Sequence, residues 1–103
     1  MSASIEHAIE LHNRAVERED SGDLAGAEEL CREALTIFER EEGPESPDVA
    51  NLLHSLGGIL ERQGRFHEAA LCADRAIRII KPVLGQFEGD EGKLILLHAL
   101  GLH

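Results

Sequence analysis

The sequence predicts an all-α fold: an α-α superhelix of two helical hairpins followed by a fifth helix at the C-terminus. Three observations carry that prediction. Apolar residues recur at spacings of three and four between clear breakers. The pattern of one hairpin returns in the next at a fixed shift of 42 residues. Aromatic residues make up only 3% of the chain, with no Trp and no Tyr, so the core must be aliphatic, as closely packed Ala-rich helices allow.

The first helix is expected from about Ile5 to Asp20, with Ser4 as its N-cap. Ser21-Gly22-Asp23 breaks it, and the Asp23 side chain is placed to cap the next helix. That second helix carries Leu24, Ala27, Cys31, Ala34, Leu35 and Phe38 on one face and stops at Gly43-Pro44. The third opens with Ser46 as N-cap, Pro47 as first helical residue and Asp48 in the first turn. Its buried stripe is Val49, Leu52, Leu53, Leu56 and Leu60, and Gly64 suits the left-handed residue that follows a helix. The fourth is expected to bury Phe66, Ala69, Ala70, Ala73, Ala76, Ile77 and Ile80, and to kink or end at Pro82. Gly85 to Gly92 reads as a loop. Lys93 to His103 is apolar nearly all round.

The 103 residues thus read as one domain: repeat 1 at about 5–43, repeat 2 at about 46–84, and an extra helix at about 91–103. Under the 42-residue shift Gly22 meets Gly64, Ala27 meets Ala69, Ala34 meets Ala76 and Leu35 meets Ile77. Leu11 meets Leu53, His12 meets His54 and Ala15 meets Gly57; Leu53 in turn meets Ile95, and Gly57 meets Ala99. Small residues at Ala15 or Gly57 and at Ala27 or Ala69 would let paired helices approach closely. Each hairpin buries only one face, so it needs a neighbour on the other.

The formal net charge is −10, all of it in residues 1–48, which hold 14 acidic and 4 basic side chains. A field of that sign repels phosphate, so neither nucleic acid nor an anionic membrane is an expected partner. The longest apolar run, Leu94 to Leu97, falls far short of the roughly 20 residues a membrane span needs. The N-terminus leads straight into a charged amphipathic pattern, and Cys31 and Cys72 have no metal-ligand spacing and sit among apolar neighbours. Reduced core thiols and a cytoplasmic location are expected. Catalytic and phosphate-loop patterns are absent, so no enzyme activity and no cofactor are expected.

The segment Leu53-x-x-Leu56-Gly57-x-x-Leu60, with Gly64, Phe66, Ala69 and Ala76 after it, resembles the W-x-x-L-G-x-x-Y pattern and spacing of the tetratricopeptide repeat. The long helices and the linker from Gly43 to Ala50 are similar to the longer repeat type of kinesin light chains. Arg14 and Arg18 stand where the second repeat has Leu56 and Leu60, which suits an end helix whose outer face meets water. The resemblance implies a non-catalytic scaffold or adaptor that holds a peptide or a partner's helix in a concave groove. The groove would be lined by Ile9, His12, Asn13, Val16 and Glu19, and by Asn51, His54, Ser55, Gly58, Glu61 and Arg62. Asn13 and Asn51 could grip a peptide backbone, and Gly58 would let one approach closely. The family's carboxylate clamp uses lysines where this chain has His12 and His54, so that function is not expected.

Two other chemistries attach to these histidines. His12 and His54 invite a metal reading, but no third ligand stands at convincing spacing, and polar groove lining is preferred. The stretch His54-Ser55-Leu56-Gly57-Gly58 resembles the H-x-L-K-G motif of histidine phosphotransfer domains, with Gly57 in place of the lysine. That makes phosphotransfer on His54 a minor alternative. The apolar end leaves a further choice open. Either the chain continues as a longer array, or Leu94, Leu96, Leu97 and Leu100 form a homodimer interface, with exchange of the C-terminal helix across the preceding loop. Burying three leucines per chain there would contribute on the order of 5 kcal/mol before association costs.

Overall fold

The computed structural model describes residues 3–84 and Gly101. Four helices follow in order: α1 (Ala3–Asp20), α2 (Leu24–Glu42), α3 (Pro47–Arg62) and α4 (Phe66–Leu84). α1 packs along α2, α3 along α4, and the two hairpins meet chiefly where α2 lies against α3. The described residues contain no strand. None of their helices is long and apolar enough to cross a membrane.

The helix boundaries fall where the capping residues dictate. Asp23 Oδ1 accepts from the Gly26 amide at 3.0 Å, and Ser46 Oγ accepts from the Val49 amide at 3.1 Å, with Pro47 opening α3. Gly43 closes α2. The two hairpin turns are the same object 42 residues apart. Gly22 (φ +90°) and Gly64 (φ +79°) hold the left-handed position. Around them Asp23 N donates to Arg18 O and Arg65 N to Leu60 O, both at 2.9 Å, which is the hydrogen bonding of a Schellman motif. α2 and α4 have equal lengths of 19 residues and begin 42 apart.

The core is aliphatic, with Phe38 its one buried aromatic among the described residues. The whole predicted stripe of α3 is buried, joined by Ala50 and Ile59. Ala15 and Ala27 are both buried in the first hairpin. In the second, a Cβ built on Gly57 would stand 3.6 Å from Ala69 O and from Cys72 Cβ, so the small residues do mark the helix crossing.

Three expectations need correction. α1 begins at Ala3, so Ser4 lies inside the helix rather than capping it. Of the two outcomes expected at Pro82, an end there does not occur: α4 runs through Pro82 to Leu84, the missing amide so near the helix end costing one hydrogen bond. The larger difference concerns the buried face of α4. Ala69, Ala76 and Ile80 are buried, but Phe66 (66% exposed), Ala70, Ala73 and Ile77 (57% exposed) are not. Their counterparts on α2 are shielded because α3 follows; among the described residues no further helix follows α4. The loop expected at Gly85 to Gly92 and the fifth helix with Leu94, Leu96, Leu97 and Leu100 lie outside the described residues.

Candidate interaction faces

Helical spacing puts Ile9, Asn13 and Val16 on one side of α1, at intervals of four and three. Ile9 and Val16 are large apolar residues left 44% and 45% exposed, and Asn13 between them is also exposed. The corresponding stretch of α3 presents Asn51 and Ser55, both half-buried, and Gly58, which is exposed with no atom within 4 Å of an added Cβ. α1 and α3 are stitched together by two polar contacts. Ser55 Oγ and His12 Nε2 are hydrogen-bonded at 3.0 Å. Arg62 donates to both the carbonyl and the carboxylate of Glu19 at 3.2 Å. Among the expected groove residues, these four therefore hold the two helices in register. Burial holds the His12 imidazole below its ordinary pKa, so it stays neutral to lower pH than a solvated histidine.

His54 faces elsewhere. With Gly58 and Glu61 it borders a cleft of about 640 Å³ whose floor is Leu53, Gly57, Ala69 and Ala76 and whose far wall is Phe66, Ala70, Ala73 and Ile77. His12 is turned to Ser55 and His54 to this cleft. Among the described residues no group of three His, Cys, Asp or Glu side chains is gathered as for a metal. Sequence reasoning treated the α4 wall as core. The signal that could have exposed it was the repeat itself: a face covered by the next helix in repeat 1 needs the same cover in repeat 2.

Further arginines of the second hairpin reach carboxylates of the first. Arg65 Nη1 donates to Glu28 Oε1 at 2.6 Å and to Gln63 at 2.9 Å, and Arg65 also pairs with Glu68. Desolvation raises the Glu28 carboxyl, but hydrogen bonds from Arg32, Arg65 and Gln63 together outweigh it and hold it below the usual range. Arg75 donates to Glu39 at 2.5 Å and to Pro44 O at 3.2 Å. Cys31 is fully buried, and desolvation, with Glu19 adding to it, pushes its thiol up to about 12; half-buried Cys72 is raised too. Both shifts disfavour the reactive thiolate.

Two equivalent helical hairpins 42 residues apart, packed through α2 and α3, define a helical-repeat protein. The sequence profile of the tetratricopeptide repeat matches residues 8–81, and the chain belongs to that family. Such repeats generally mediate protein–protein interaction. Comparison with curated proteins found no match.

Proposed function

We propose that this chain is a scaffold or adaptor module that binds a segment of a partner protein across the α1–α3 face. The observation that supports it is the exposure of Ile9 and Val16 one above the other, with Asn13 between them and Asn51 and Gly58 alongside. Exposed aliphatic side chains offer burial to a ligand; amides that both donate and accept suit a peptide backbone; an open glycine lets that backbone come close. The spacing of 42 residues between equivalent turns supports the longer repeat type, as in kinesin light chains.

Peptide-array selection with the full chain, followed by fluorescence anisotropy on the best ligand, tests this. Asn13→Ala with Asn51→Ala removes two amide contacts, each worth about 1 kcal/mol, so binding should weaken by roughly tenfold or more. Ile9→Asp should weaken it further, with helicity by circular dichroism unchanged. Ligands whose affinity ignores all three substitutions would remove this face from the proposal. Self-association, the other reading, would appear as a concentration-dependent mass in light scattering.

A further inference from the structure

Charge is divided around α1 as sharply as it is along the chain. With about 3.6 residues per turn, the side that carries Ile9, Asn13 and Val16 also carries Glu6, Glu10, Glu17 and Asp20, and all are exposed. His7, Arg14 and Arg18 fall on the far side of the helix. There Arg14 and Arg18 border a polar depression together with Glu29 and Glu33 of α2, and Arg18 pairs with Asp23. Glu6, Glu10, Glu17 and Asp20 enter no ion pair among the described residues, whereas Glu19, Glu28 and Glu39 are each held by an arginine. The cation nearest this face, Arg62 of α3, is already engaged by Glu19.

The exposed side has a period of its own. Ile9 and Val16 stand seven residues apart, as do Glu10 and Glu17, and Glu6, Asn13 and Asp20 follow the same interval. Seven residues of helix rise about 10.5 Å. A second helix laid alongside advances by the same rise, so its own heptad can bring an apolar residue to Ile9 and to Val16, with a cation beside each. The apolar pair fixes where a ligand is buried; the carboxylates decide which ligand. A neutral or acidic segment would desolvate them without supplying a counter-charge. A second copy of the chain, at a formal net charge of −10, is repelled for the same reason.

We propose that the segment bound on the α1–α3 face is a basic amphipathic helix of a partner protein, its apolar stripe on Ile9 and Val16 and its Lys or Arg side chains against Glu10 and Glu17. This rests on the reading that the α1–α3 face binds a protein segment, and it names the chemistry of that segment.

The probe is a library of helical peptides with two leucines seven residues apart and the flanking positions varied among Lys, Gln and Glu, selected on the full chain and measured by fluorescence anisotropy. Selection should enrich Lys. An exposed ion pair is worth roughly twofold in affinity, so Glu10→Gln with Glu17→Gln should weaken a Lys-rich ligand by about fourfold or more. Glu29→Gln with Glu33→Gln removes the same amount of charge from the far side and should change affinity by less than about twofold. Equal weakening by the two pairs would mean attraction to the net charge of the chain and would overturn the proposal. Neutral or acidic ligands that are weakened by Ile9→Ser or by Asn13→Ala with Asn51→Ala would also overturn it, while leaving segment binding on this face intact. If no peptide binds, or if every ligand ignores the substitutions on this face, both readings fall together.

Discussion

Replacing Gly58 with alanine separates the folding role of the α1–α3 face from its binding role. Gly58 stands in the interior of α3, exposed, with nothing within 4 Å of an added Cβ. The methyl group therefore meets no steric cost in the folded chain. What changes is the unfolded state, which loses the extra backbone freedom of glycine, and the helix gains about 0.5–1 kcal/mol. For a domain of this size 1 kcal/mol moves the midpoint by roughly 4–8 °C, so Gly58→Ala should melt about 2–8 °C higher by circular dichroism, with an unchanged urea m-value. Gly64→Ala is the control with the opposite sign. Gly64 sits at φ +79°, where a Cβ is strained, and that variant should be less stable by about 1 kcal/mol or more. If a bound peptide passes over Gly58, the alanine variant is at once more stable and a weaker binder. A Gly58→Ala protein that melts lower would refute the claim of open space at that position. One that melts higher and binds equally well would take Gly58 out of the contact surface.

Three other outcomes are expected. In a double-mutant cycle, Glu39→Ala and Arg75→Ala should each cost about 1 kcal/mol or less and share a coupling of about 0.5–1 kcal/mol, as befits a partly exposed pair, measured by urea unfolding. Because His12 is held below its ordinary value of 6.5, the unfolded chain binds that proton more readily than the folded one; its contribution is complete above pH 6.5 and is lost as pH falls from 6.5 toward the folded value. His12→Gln should flatten the stability profile in that window, and an unchanged slope between pH 7 and pH 5 would contradict the assignment. Cys31 and Cys72 should resist thiol reagents in the native protein at neutral pH, Cys31 the more strongly, and both should react on denaturation.

What the sequence made legible was its punctuation. Asp23, Ser46 and Pro47 cap because an oxygen or a fixed φ is needed at one position, and Gly22, Gly43 and Gly64 end helices because a positive φ is needed there. These are local demands, written in single residues. The buried stripes of α2 and α3 were legible for a related reason, since both helices have neighbours on each side. α4 was misread at Phe66, Ala70, Ala73 and Ile77 because periodicity records which face is apolar, not whether a helix lies on it. The groove residues divided for the same reason. Fixed spacing placed His12 and His54 in one role, yet Ser55 stands against the first and a cleft beside the second. Equivalent positions in a repeat have equivalent surroundings only where the repeat has neighbours on both sides.

The uneven charge, read from sequence as a solvated face, also has a structural consequence. Each ion pair between the hairpins takes its acid from the first and its arginine from the second: Glu19 with Arg62, Glu28 with Arg65, Glu39 with Arg75. None is deeply buried, so each contributes little to stability. Their positions matter more than their strengths. α2 and α4 run in the same direction, with Glu28 and Glu39 eleven residues apart and Arg65 and Arg75 ten apart, so both pairs close in one alignment. Sliding the second hairpin by one turn along the first moves each arginine about 5.4 Å and breaks both pairs together, while the apolar contacts of α3 with α2, built on a repeating pattern, can re-form one turn away. Hydrophobic periodicity alone leaves the stacking of hairpins degenerate by a turn. An acidic hairpin facing arginines at matched spacing removes that degeneracy, and with it fixes how Ile9, Val16, Asn13 and Asn51 are set beside one another on the face proposed to bind a partner.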